Sequence, residues 1–93
     1  MKTIKELAKN GKVYVYLSDE TVGKRFFQQA EQEGLTFSDG SKPTSKHYSD
    51  IMAVNPDGTI NYVSAYGRIA FGANATTKID YQRFFEGYDD YLM

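Results

Sequence analysis

Apolar residues recur along this chain in two rhythms, one near 3.6 residues and one of 2, and together they divide it into helices and strands. Ile4, Leu7 and Ala8 form a short apolar stripe behind Thr3-Ile4-Lys5-Glu6. That run reads as a capping box, threonine at the N-cap and glutamate three residues on, each satisfying a free backbone amide. Asn10-Gly11 closes this helix. Lys12–Leu17 alternates, with Val13, Val15 and Leu17 on one face and Tyr14 and Tyr16 on the other, which predicts a strand inside a sheet. Ser18-Asp19-Glu20 opens a second helix with a capping side chain and negative charge at its positive dipole end. Val22, Phe26 and Ala30 recur by fours in it, Phe27 widens the stripe, and Gly34 stops it.

Leu35–Ser38 alternates as a short strand, and Asp39–Lys46 is a loop by composition, broken by Gly40 and Pro43. Thr44 or Ser45 is expected to cap a single helical turn through His47 and Tyr48. The clearest turn signal follows. Two β-prone runs, Ile51–Val54 and Thr59–Ser64, flank Asn55-Pro56-Asp57-Gly58, so a hairpin is expected at the centre of the sheet. Ala65-Tyr66-Gly67 reads as a second turn, Arg68–Gly72 as a further strand and Ala73–Lys78 as a polar connection. Beyond it, Tyr81, Phe84, Phe85, Tyr88 and Leu92 recur at helical spacing behind a capping Asp80, although Gly87 can end that helix early. An edge strand at Ile79–Phe85 is the competing reading.

The resulting order, α-β-α-β-β-β-β-α, predicts an α+β fold. A small mixed or mainly antiparallel β-sheet of four to five strands carries two to three helices packed mostly on one face. Residues 1–93 are read as a single domain, long enough for one core without metal or disulfide staples.

Composition narrows the function classes. The formal charge of -1 speaks against nucleic acid as a partner, because binders of phosphate backbones carry a basic excess. With no cysteine, disulfides, thiolate metal sites and cysteine nucleophiles are excluded. The charged start, Met1-Lys2-Thr3-Ile4-Lys5-Glu6, lacks the apolar core of a signal peptide, and no window reaches the ~18 apolar residues of a membrane span. A cytoplasmic protein without membrane association is expected. The excess lies in the aromatics, eight tyrosines and six phenylalanines. A core of this size cannot satisfy eight buried hydroxyls, so several tyrosines should reach the surface and suit a contact area there.

Candidate chemistry gathers around one loop. His47 is the only histidine and Asp50 lies three residues on, a pair in which a carboxylate can orient an imidazole; the same spacing also suits a solvated turn. One histidine without cysteine gives no metal site, and no cofactor is implied. Ser38, Ser41, Thr44, Ser45 and Ser49 supply hydroxyls but no nucleophile-elbow context, and read as turn and capping residues. The glycine spacings at Gly34–Gly40 and Gly67–Gly72 lack the lysine or the helix of a phosphate-binding loop. Lys42, Lys46, His47 and Tyr48, with Asp50 beside them and Arg68 joining if the hairpin folds toward it, make a candidate patch for a small anionic ligand.

The run from the first strand through Glu33-Gly34-Leu35-Thr36-Phe37-Ser38-Asp39-Gly40 to the hairpin resembles small proteins common in Firmicutes genomes and their phages. In those proteins a strand–helix unit leads to a glycine, an aromatic strand, a Ser/Asp-Gly loop and a hairpin. No activity is attached to the group. The resemblance implies a cytoplasmic accessory protein, encoded by a mobile element, that binds host machinery. With no catalytic constellation marked and tyrosines in excess, the reading is a non-enzymatic binding module acting through protein contacts or as a homodimer, by a tyrosine-bearing sheet face or the Ser38–Asp50 loop. The alternative is a ligand- or nucleotide-binding protein, or a weak hydrolase, centred on the Ser38–Asp50 loop.

Overall fold

A computed structural model describes residues 3–63 and 77–93. Helix α1 (Ile4–Leu7) leads to strand β1 (Val13–Tyr16), helix α2 (Glu20–Gln32) and strand β2 (Thr36–Phe37). A 3₁₀ turn (Pro43–Ser45) precedes β3 (Ile51–Val54) and β4 (Thr59–Tyr62), and the last elements are β5 (Lys78–Asp80) and α3 (Tyr81–Phe85). The strands form one mixed sheet in the order β2-β4-β3-β1-β5, so the fold is the expected α+β arrangement with the hairpin at its centre.

Register follows the alternation read from the sequence. Val13 and Val15 of β1 face Val54 and Met52 of the antiparallel β3, and Val54 faces Ile60 of β4. Phe37 pairs with Ile60 in the parallel β2–β4 contact, and Val15 with Ile79 in the parallel β1–β5 contact. All these residues lie in one buried cluster with Ile4 of α1, Val22, Phe26, Phe27 and Ala30 of α2, and Tyr81 and Phe84 of α3. Helices α1, α2 and α3 therefore lie on one face of the sheet. On the other face Ile51 and Ala53 are also buried, which is why β3 has no polar position.

Helix α2 is bounded as its sequence dictates. Asp19 accepts a hydrogen bond from the Val22 amide at 2.9 Å, and after Gly34 (φ 81°) the Leu35 amide bonds the Ala30 carbonyl at 2.9 Å. Helix α1 is capped differently from its motif. Thr3 accepts from the Glu6 amide, but the amides of Ile4 and Lys5 are taken by the two oxygens of Glu33, at 2.9 and 3.0 Å. A residue at the end of α2 thus docks α1.

Two expectations change. The turn in the long loop starts at Pro43, whose fixed φ suits a first helical position, and not at Thr44 or Ser45. The C-terminal segment satisfies both competing readings in part: Lys78–Asp80 is an edge strand beside β1, and Asp80 then caps a helix of five residues. Gly87, at φ 87°, ends the helical path. The chain then returns along β5, with Ile79 opposite Leu92 and hydrogen bonds from Asp80 to Tyr91 and from Met93 to Lys78. Tyr88, Tyr91 and Leu92 are therefore not helical. The strand expected at Arg68–Gly72 and the turn before it lie outside the described residues. Among the described residues, no helix is long and apolar enough to cross a membrane.

Candidate functional site

Helix α2 and the loop after β2 enclose a cleft of about 330 Å³, and its wall explains how the loop is fixed. From α2 come Glu20, Lys24, Phe27 and Gln28; from the loop come Thr44, Lys46, His47 and Tyr48. The loop is tied to the helix at one end by the Thr44 hydroxyl, which donates to Glu31 Oε1 at 2.6 Å. At the other end the Tyr48 hydroxyl donates to the Leu17 carbonyl at 2.7 Å. Between these anchors the Lys46 amide closes the 3₁₀ turn onto Pro43, and the His47 carbonyl accepts from the Tyr62 hydroxyl at 2.6 Å.

The Tyr48 ring lies directly on Gly23. A Cβ at position 23 would overlap its Cδ1 and Cε1 atoms, so the glycine is a seat for the ring. Burial raises the Tyr48 hydroxyl above the ordinary phenol range, with the nearby Asp50 charge acting in the same direction.

Charges around the cleft are loosely held. Lys24 Nζ stands 3.9 Å from Glu20, both side chains 71% exposed. Lys46 Nζ lies 3.6 Å from Asp39 and 5.5 Å from the centre of the Phe37 ring. Asp39 owes its lowered carboxyl pKa first to hydrogen bonds from Ser41, whose amide donates at 2.9 Å, and only afterwards to Lys46.

Of the residues expected in an anion patch, the structure brings Lys46, His47 and Tyr48 together. Lys42 is exposed and outside the wall. Asp50 is half-buried and also outside it; its carbonyl accepts from the Leu17 amide at 2.7 Å. Arg68 lies outside the described residues. Sequence reasoning missed the α2 side of the cleft. Glu20, Lys24 and Gln28 recur by fours on the polar face of that helix, a visible row, but nothing local says that this row meets the loop.

A second feature lies at the C-terminal end. Of the large hydrophobic residues exposed among the described positions, four of five fall between 85 and 93: Phe85, Tyr88, Leu92 and Met93, the other being Tyr62. Their scaffold is ordered by stacking and charge. Phe85 packs at 5.9 Å from the buried Tyr81 ring and under the Arg25 guanidinium at 5.2 Å. Arg83 lies 4.6 Å from the Tyr88 ring centre and grips both Asp90 oxygens, at 2.7 and 2.8 Å. The expected surface tyrosines are thus Tyr62 and Tyr88, whereas Tyr81 is fully buried.

No protein-family model, curated protein or solved structure matches this chain.

Proposed function

We propose that this chain is a non-enzymatic binding module that acts through protein contacts, self-association included. The accessory role implied by its resemblance to small Firmicutes and phage proteins fits that reading. The observation that carries it is the run of exposed Phe85, Tyr88, Leu92 and Met93 within the nine positions 85–93. Large apolar side chains cost solvation when left in water, and clustered ones mark contact surfaces. Aromatics held in place by Arg25 and Arg83 lose little rotamer freedom when a partner covers them.

Sedimentation equilibrium from micromolar to millimolar protein, combined with cross-linking in a host extract, tests the reading. Association of the chain with itself or with a host protein is expected, and a Tyr88→Ser/Leu92→Ser double variant should weaken it. These side chains are exposed, so the variant should keep the fold. A chain that stays monomeric and cross-links to nothing, or one whose contacts ignore the double variant, overturns the proposal.

A further inference from the structure

The cleft between α2 and the Pro43–Tyr48 segment carries an inference independent of the apolar end. We infer that it is a binding site for a small phosphate-bearing ligand, held by Lys24, Lys46 and His47. The lining holds two lysines and a histidine against one carboxylate, that of Glu20. They arrive from two separate elements, so they bracket the hollow from opposite sides. Neither ammonium is committed. Ion pairs open to solvent hold weakly, and those of Lys24 and Lys46, at 3.9 and 3.6 Å, are long ones. An oxyanion can therefore displace Glu20 and Asp39 at little cost, all the more because Asp39 keeps its Ser41 hydrogen bond.

The type of cation narrows the ligand. Lysines act as movable point charges, and two of them beside an imidazole suit an anion with more than one negative charge and several acceptor oxygens, as a phosphate group is, better than a single carboxylate. A volume of about 330 Å³ is at the lower end of small-molecule sites and exceeds what a bare ion needs. The remainder of the ligand would meet the Phe27 edge, the Tyr48 ring and the Gln28 amide, which can donate and accept. The walls are already braced by the Thr44–Glu31 and Tyr48–Leu17 hydrogen bonds, so binding requires little ordering of the loop.

Inorganic pyrophosphate, titrated into ¹⁵N-labelled protein at ionic strength held constant with chloride, is the probe. Saturable shifts are expected at the amides of Lys24, Gln28, Thr44 and His47. Lys24→Ala and Lys46→Ala should each weaken binding about tenfold, the effect of losing one charge-assisted contact. Lys12→Ala removes an exposed lysine before β1 and should leave affinity within twofold. If either cleft variant disturbs the spectrum beyond the cleft, Lys24→Gln and Lys46→Gln give the same comparison with the aliphatic stem retained. An absence of saturable shifts at millimolar pyrophosphate overturns the inference. So does an equal loss in Lys12→Ala, which would assign the effect to general surface charge. Pyrophosphate binding that survives Tyr88→Ser/Leu92→Ser keeps this site distinct from the apolar contact surface.

Discussion

Gly23 and Tyr48 show how much one contact decides. The ring occupies the space that any side chain at position 23 would need, and its hydroxyl reaches the Leu17 carbonyl from there. Gly23→Ala raises helix propensity by about 1 kcal/mol, but it forces an aromatic ring out of a packed seat, which costs about 1–3 kcal/mol. A net loss of stability is expected in urea unfolding. In a Tyr48→Ala background the alanine meets no ring, and the same substitution should become neutral or stabilising. Additive losses in that double-mutant cycle would show that the clash has no energetic weight. The sequence presents Gly23 as an interior helix glycine, a small penalty without a purpose. Its purpose lies 25 positions downstream in Tyr48, and local pattern carries no sign of it.

Among the elements, α1 shows a helix completed from elsewhere. Four residues are too few to persist alone, and Ile4 anchors them in the core while Glu33 takes the amides of Ile4 and Lys5. Glu33 is itself placed by Gln29, which donates to it at 2.9 Å and also receives the Tyr81 hydroxyl. Removing the carboxylate in Glu33→Ala should cost about 0.5–2 kcal/mol, the range of a lost helix cap. Hydrogen exchange should accelerate first at the amides of α1, ahead of those of β1 and β3. Uniform acceleration would mean that α1 is not a separate cap-dependent unit.

Helix α2, β1 and the β3–β4 hairpin were legible because their apolar periods, caps and turn residues agree with one another. The C-terminal segment was less so. Tyr81, Phe84, Phe85, Tyr88 and Leu92 fit a helical stripe, yet pairing of the tail with β5 wins beyond Gly87, and such a long-range contact leaves no periodic trace. The candidate cleft was half legible for a related reason. Its loop side follows from a cluster of unusual residues, while its α2 side consists of ordinary surface residues made special by what faces them.

At the scale of the whole molecule, the buried phenol of Tyr81 ties the helical layer to pH. Burial, and then the Glu33 charge, push its hydroxyl well above the ordinary phenol value of 10.0, against a smaller opposite pull from Arg25. The folded state therefore holds the proton more tightly than the unfolded chain. This contribution is fully present below pH 10 and is lost as pH rises beyond it, at up to about 1.4 kcal/mol per pH unit for one group. Tyr48 is shifted in the same direction and adds to the slope. Alkaline unfolding should steepen above pH 10, and Tyr81→Phe should flatten it while losing about 1 kcal/mol at neutral pH with the bond to Gln29. An unchanged alkaline slope in that variant would remove Tyr81 from the account.

The place of β1 between β3 and β5 also sets a timetable for the chain as it is made. Once the hairpin has emerged from a ribosome, β1 can pair on one side only. Its other edge stays open until Lys78–Asp80 arrives, and the far edge of β5 until Tyr91–Met93 folds back along it. A polypeptide interrupted before Lys78 would leave one edge of Val13-Tyr14-Val15-Tyr16, uncharged and strongly β-prone, without its partner strand. Such an edge pairs with other chains as readily as with its own. The last strand and its tail thus act as an intrinsic shield, and stalled or clipped forms of this protein should be the ones that aggregate.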